Sequence, residues 1–194
     1  MAKSKWKSQP LHKGKLYTLY SQANKDQMER GLHWYGDAHT LARALAKLGN
    51  VTVEQAAGVI AALSPACPWE RNIMEAQWLL TGNENVSFTT YPANVDKAYR
   101  IKSGGKPLDI LGGKKVRSFY ALIINPSDPY SVCVDRHAVE CITHRKWRSD
   151  QEKQSFLRSQ YDRAADVFRS LAAELDLLPH QVQAITWTVQ RELL

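Results

Sequence analysis

Cysteine is scarce in this chain. The three present, Cys67, Cys133 and Cys141, are an odd number with no Cys-x-x-Cys spacing, which argues against a disulfide framework and fits a reducing compartment. Long apolar runs are missing too: no segment approaches the roughly 18 uninterrupted apolar residues of a membrane span. The lysines near the start are followed by no apolar stretch, so no secretory signal is expected. Strict apolar/polar alternation never lasts long enough to suggest a sheet. There is no internal repeat and no low-complexity segment. These absences leave the expectation of a soluble, cytoplasmic, all-α protein that needs no metal, cofactor or disulfide to fold.

At 194 residues the chain suits one domain, or two helical lobes, and can bury roughly 70% of its unfolded surface. Its net charge of +7, from 26 Lys and Arg against 19 Asp and Glu, favours a polyanionic partner. Lys3, Lys5, Lys7, Lys13 and Lys15 mark residues 1–16 as a basic N-terminal arm, either a solvated tail or a DNA-binding extension. A second basic concentration runs through Arg136, His144, Arg145, Lys146 and Arg148 and is the better candidate for phosphate contact.

Helical periodicity dominates the rest. Asp37 precedes an amphipathic segment ending at Gly49 and Asn50, and Thr52 with Gln55 makes a capping-box pattern for a helix over 53–63. Pro68 starts a helix that stops near Gly82, 83–90 reads as polar loop, and Pro92 opens a helix closed by Ser103, Gly104 and Gly105. Pro126 and Pro129 bracket a turn before an extended connector over 130–134. Asp150 caps a long helix to about Leu175, and Pro179 opens a last one to Glu192.

The richest stretch is 111–138. Gly112 and Gly113 permit a tight interhelical turn whose following amides can meet an anion, and Lys114 and Lys115 add positive charge there. Downstream, Val132-Cys133-Val134 leads into Asp135, a carboxylate in a partly desolvated place. Residues 111–119 resemble, without gaps, the hairpin of the helix-hairpin-helix DNA glycosylase superfamily, the endonuclease III-like enzymes, written Leu-Pro-Gly-Val-Gly-x-Lys-Thr-Ala. Val134-Asp135-Arg136-His137 resembles its acid motif Val-Asp-Thr-His, and 61–72, with Ser64-Pro65, is similar to its Leu-Leu-Ser-Ala-Gln segment.

The resemblance implies a two-lobed helical bundle, with a central lobe over about 50–130 and the terminal helices forming the second. It implies duplex DNA as partner, a monomer, and a base flipped into the cleft between the lobes. Asp135 would be the catalytic carboxylate, with His137 and Arg117 beside it. Gly112, Gly113, Lys114, Lys115, Ser64, Trp69, Arg71, Asn72 and Arg136 would meet DNA. The chain also departs from the pattern. Gly112 replaces the hairpin proline and Lys115 its second glycine; Arg117 stands where bifunctional members carry a Schiff-base lysine; and three cysteines cannot hold the four-cysteine iron-sulfur cluster of some members.

Each of these residues has a plainer reading. Asp135 suits an N-cap. His137 suits a structural contact, and Trp69, Trp34 and Tyr35 suit a core. Gln183 and Trp187, one turn apart, suit packing between terminal helices, with a polar contact to a pocket also open. Three functions follow: a monofunctional DNA N-glycosylase, an enzyme that modifies rather than excises a base, like superfamily relatives linked to bacteriophage thymine hypermodification, and a non-catalytic DNA-binding module.

Overall fold

The computed structural model describes residues 6–83 and 86–193. Among them the structure is all-α: ten helices and no strand. They are α1 Lys13–Ser21, α2 Lys25–Gly49, α3 Val53–Leu63, α4 Trp69–Thr81, α5 Pro92–Lys102, α6 Pro107–Ile110, α7 Lys114–Ile124, α8 Arg136–Cys141, α9 Asp150–Leu175 and α10 Pro179–Glu192. No helix among the described residues is long and apolar enough to cross a membrane. The chain divides into two compact units, Tyr35–Pro126 and the combination of Met1–Trp34 with Ser127–Leu194.

The Tyr35–Pro126 unit is built around α3, whose residues Ala56, Ala57, Val59, Ile60, Ala61, Ala62 and Leu63 are all buried. A helix apolar on every side needs neighbours all round it, and α3 packs against α4, α5, α6 and α7. Gly58 makes part of this possible: a Cβ there would come within 2.9 Å of Pro107 and 3.0 Å of Ile101. The expected capping box is formed by Thr52 and Gln55. Gln55 then does a second job, donating to the Ile101 and Lys102 carbonyls that end α5. Gly82 ends α4 in the left-handed conformation at φ 82°.

The other unit gathers α1, α8, α9 and α10 around Leu16, Val134, Val139, Phe156, Phe168, Leu171 and Val182. Gln27 and Arg30 of α2 both donate to Glu192 near the end of α10.

Four expectations need correction. The helix placed after Asp37 begins at Lys25 and passes through Gly36 and Asp37. Its buried positions, Gln27, Gly31, Tyr35, Ala38, Ala42 and Leu45, step at helical spacing without a break, and this outweighs the glycine. Ser149, not Asp150, caps α9: its side chain accepts from the Glu152 amide. The basic stretch 1–16 is no free arm from residue 6 on, because Trp6 is buried, its indole donates to Ser155, and Lys13 already begins α1; Lys3 and Lys5 lie outside the described residues. The central unit opens at residue 35 rather than about 50, since the second half of α2 belongs to it.

Candidate functional site

In the Tyr35–Pro126 unit the hairpin runs from α6 through Leu111, Gly112 and Gly113 into α7. Leu111 is buried and anchors the turn; Gly113 takes φ 75° and both glycines face open space. Arg117 closes this turn. Its Nε donates to the Leu111 carbonyl at 2.8 Å and its terminal nitrogen to the Leu108 carbonyl at 2.9 Å. The planar guanidinium fork suits these two carbonyls.

Lys114 is exposed and Lys115 half-exposed in the first turn of α7, which contains no acidic residue. Cations beside a positive helix end cost about 0.3–1 kcal/mol each.

The segment 64–72 has a different fate. Ser64 donates to the Ala61 carbonyl, and Asn72 is 1% exposed with its amide donating to the Ile60 carbonyl. Arg71 lies 4.7 Å from the Trp78 ring centre and bonds the Glu75 carboxylate and the Ser87 carbonyl. Trp69 packs edge-on to Phe119 at 6.2 Å. Ser64, Arg71 and Asn72 brace this unit, Asn72 from the interior and Ser64 and Arg71 from partly exposed positions. Glu75, to which sequence reasoning gave no role, is their hub. Its side chain has no exposure and accepts from Arg71 and from both the amide and hydroxyl of Thr89. Burial pushes its pKa up, but the Thr89 hydroxyl, Arg71 and the Thr89 amide together outweigh this and hold it below the usual carboxylate range. Cys67, next to Glu75, is pushed up to about 11 by burial and then by that carboxylate, which favours the protonated thiol at neutral pH.

In the terminal unit the connector 132–134 is buried and held by Tyr161, whose hydroxyl donates to the Val132 carbonyl at 2.7 Å and accepts from the Val134 amide at 3.1 Å. This delivers Asp135 to the start of α8. One carboxylate oxygen, Oδ1, accepts from the His137 amide at 2.9 Å and the Ala138 amide at 2.7 Å. The other, Oδ2, faces the Trp187 indole N–H at 3.3 Å. The polar contact left open for Trp187 is therefore made, and to the candidate acid itself. Arg191 stacks over the same indole at 4.9 Å.

His137 lies edge-on to Trp187 at 6.3 Å and its pKa is lowered, chiefly by burial, with Asp135 opposing. Arg136 donates through Nε to His137 Nε2 at 3.2 Å and pairs with Asp150 at 3.3 Å. With Nε2 accepting, the neutral ring carries its proton on Nδ1, 3.9 Å from Glu140. Cys141 is pushed up to about 12 by burial and then by Asp135, which excludes it as a nucleophile. Among the described residues no group of three or more His, Cys, Asp or Glu side chains could hold a metal ion.

Asp135, His137 and Arg136 therefore come together in one unit with Trp187, and the hairpin lysines stand in the other with the exposed Arg117 bonded to its own turn. The chain belongs to the family of unknown function DUF7178, whose model matches residues 2–193. No curated protein and no solved structure matches it.

Proposed function

We propose that the chain is a DNA-acting enzyme of the helix-hairpin-helix glycosylase type, cleaving an N-glycosidic bond at an extruded nucleotide with Asp135 as its essential carboxylate. The observation that carries this reading is the division of labour at Asp135: Oδ1 is used by two backbone amides, while Oδ2 meets a single long indole hydrogen bond. An anion positioned by the backbone yet retaining acceptor capacity suits electrostatic work. As the bond from sugar to base breaks, its electron pair leaves with the base and positive charge develops on the sugar. A carboxylate stabilises that charge until water adds to the anomeric carbon and gives up a proton. The Gly113 turn with Lys114 and Lys115 would anchor phosphate. The two amide bonds to Oδ1 also suit a DNA-binding module in which Asp135 only caps α8.

Arg117 makes the chemistry testable. Guanidinium cannot become the free amine that attacks a sugar to form an imine, and this one is held by two carbonyls. Excision should stop at an intact abasic site. Borohydride added during turnover is expected to trap no protein–DNA adduct; an adduct abolished by changing Lys114 or Lys115 would overturn the alignment of the hairpin. No base release from any duplex tested would leave the non-catalytic module as the reading.

Trp187 is expected to act as a positioning residue. Trp187→Phe removes the indole donor and keeps most of the ring, so kcat should fall about tenfold with KM unchanged, in line with the loss of one hydrogen bond to a charged group. Equal changes in both constants would point to packing alone.

A further inference from the structure

We propose that the terminal unit carries a phosphate-binding trough for the DNA backbone, formed where residues 6–15 lie against residues 144–148. Two basic segments more than a hundred positions apart in sequence meet here. One cavity of about 610 Å³ is lined by His12, Lys13, Lys15 and His144. A second, of about 330 Å³, is lined by Trp6, Gln9, Arg145 and Arg148 and by one carboxylate, Glu152. The two are neighbours along both segments, since Pro10 and Leu11 are consecutive on one side and His144 and Arg145 on the other. The His12 and His144 rings pack on each other with centres 4.5 Å apart and so join the two segments.

The walls are built rather than loosely apposed. Trp6 is buried against Trp147 and Phe156. Arg163 donates to the Lys7 carbonyl at 2.9 Å and the Gln9 carbonyl at 3.3 Å, and the His12 amide donates to the Ile142 carbonyl at 2.8 Å. Lys15 bonds the Glu140 and Thr143 carbonyls, so its charge fastens the wall without being cancelled by a carboxylate. Glu174 pairs with Lys13 and Glu152 with Arg145, while the exposed Arg148 meets Glu152 through its backbone amide at 2.8 Å and has no side-chain ion pair among the described residues. Positive charge gathered in a preformed groove, in a chain of net charge +7, fits a polyanion whose phosphates can lie along it. The proposal rests on the functional reading above only for the identity of the polyanion; it does not need Asp135 to be catalytic.

The test is fluorescence polarisation of a labelled DNA duplex across a salt series, with the full chain and with Lys13→Gln, Arg148→Gln and the double variant. Each lost phosphate contact should flatten the salt slope by about 0.9 and weaken binding about fivefold near 0.1 M salt, with the double variant showing both losses. The charge-conserving pair Lys13→Arg and Arg148→Lys should bind as the parent does. Unchanged affinity and slope in the Gln variants, equal loss in the charge-conserving pair, or a parent that binds anionic vesicles and not DNA would each overturn the trough. Weakened binding in a protein that releases no base would uphold the trough and remove the enzyme; full binding in the Gln variants with base release intact would do the reverse.

Discussion

Asp135→Asn is expected to abolish turnover, by at least about a hundredfold, while leaving the fold and DNA affinity in place. Asparagine is as good an N-cap as aspartate, so its carbonyl can keep the His137 and Ala138 amides at the start of α8. Its amide group would then face the Trp187 indole, where donor meets donor, and the negative charge is gone. Asp135→Ala, by contrast, also loses the cap and should cost about 1 kcal/mol of stability. The pair of variants separates two jobs that one side chain performs. If Asn and Ala variants lose stability together and activity persists in whichever remains folded, Asp135 is a cap and nothing more. Thermal melts, a polarisation titration and a base-release assay on the same preparations measure all three properties.

The largest effect on stability is expected at Glu75. Glu75→Ala removes a fully buried carboxylate, strands Thr89, and leaves Arg71 without its ion pair beneath the Ser87 loop. Removing one partner of a buried pair costs about 3–5 kcal/mol, and the lower end applies because Arg71 can still reach water. That corresponds to a fall in Tm on the order of 10 °C. Acidity should reproduce part of the loss. A carboxyl whose folded pKa lies below its unfolded value stabilises the fold at neutral pH, and that contribution fades as pH falls through the folded value. The stability gap between the parent and Glu75→Gln should therefore be full at neutral pH and narrow on acidification below about 4.5, the ordinary glutamate value. A gap that stayed constant with pH would mean that Glu75 acts by shape and not by charge.

Local chemistry was legible in the sequence where a few neighbouring residues decide the outcome. The Thr52 and Gln55 box, the Gly82 stop and the proline starts of α5 and α10 depend on contacts within one turn, and the structure has them. Asp135 at the head of α8 was visible for the same reason. Where long-range packing decides, local signals misled or were silent. Gly36 and Asp37 read as a boundary, yet the buried stripe of α2 runs through them. Nothing near Glu75 announces that a glutamate among Arg, Asn and Gln will be fully buried, since its loop partner Thr89 lies 14 residues on. The bonds of Arg117 to Leu108 and Leu111 are not legible in the sequence, because these acceptors come within reach only once the hairpin has closed. The bond from Trp187 to Asp135 spans 52 residues, and periodicity alone could place Trp187 on a face but not against that carboxylate.

The central claim is that a base leaves its sugar under the action of Asp135. Mass spectrometry of the free bases and nucleosides released after incubating the parent and Asp135→Asn with duplexes carrying different modified pyrimidines and purines measures this directly. The account predicts a free base and an abasic strand in equal amounts from at least one duplex with the parent, and neither with Asp135→Asn. A parent that converts the base while leaving it attached to the sugar, or one that releases as much base with Asp135→Asn as without it, would contradict the account.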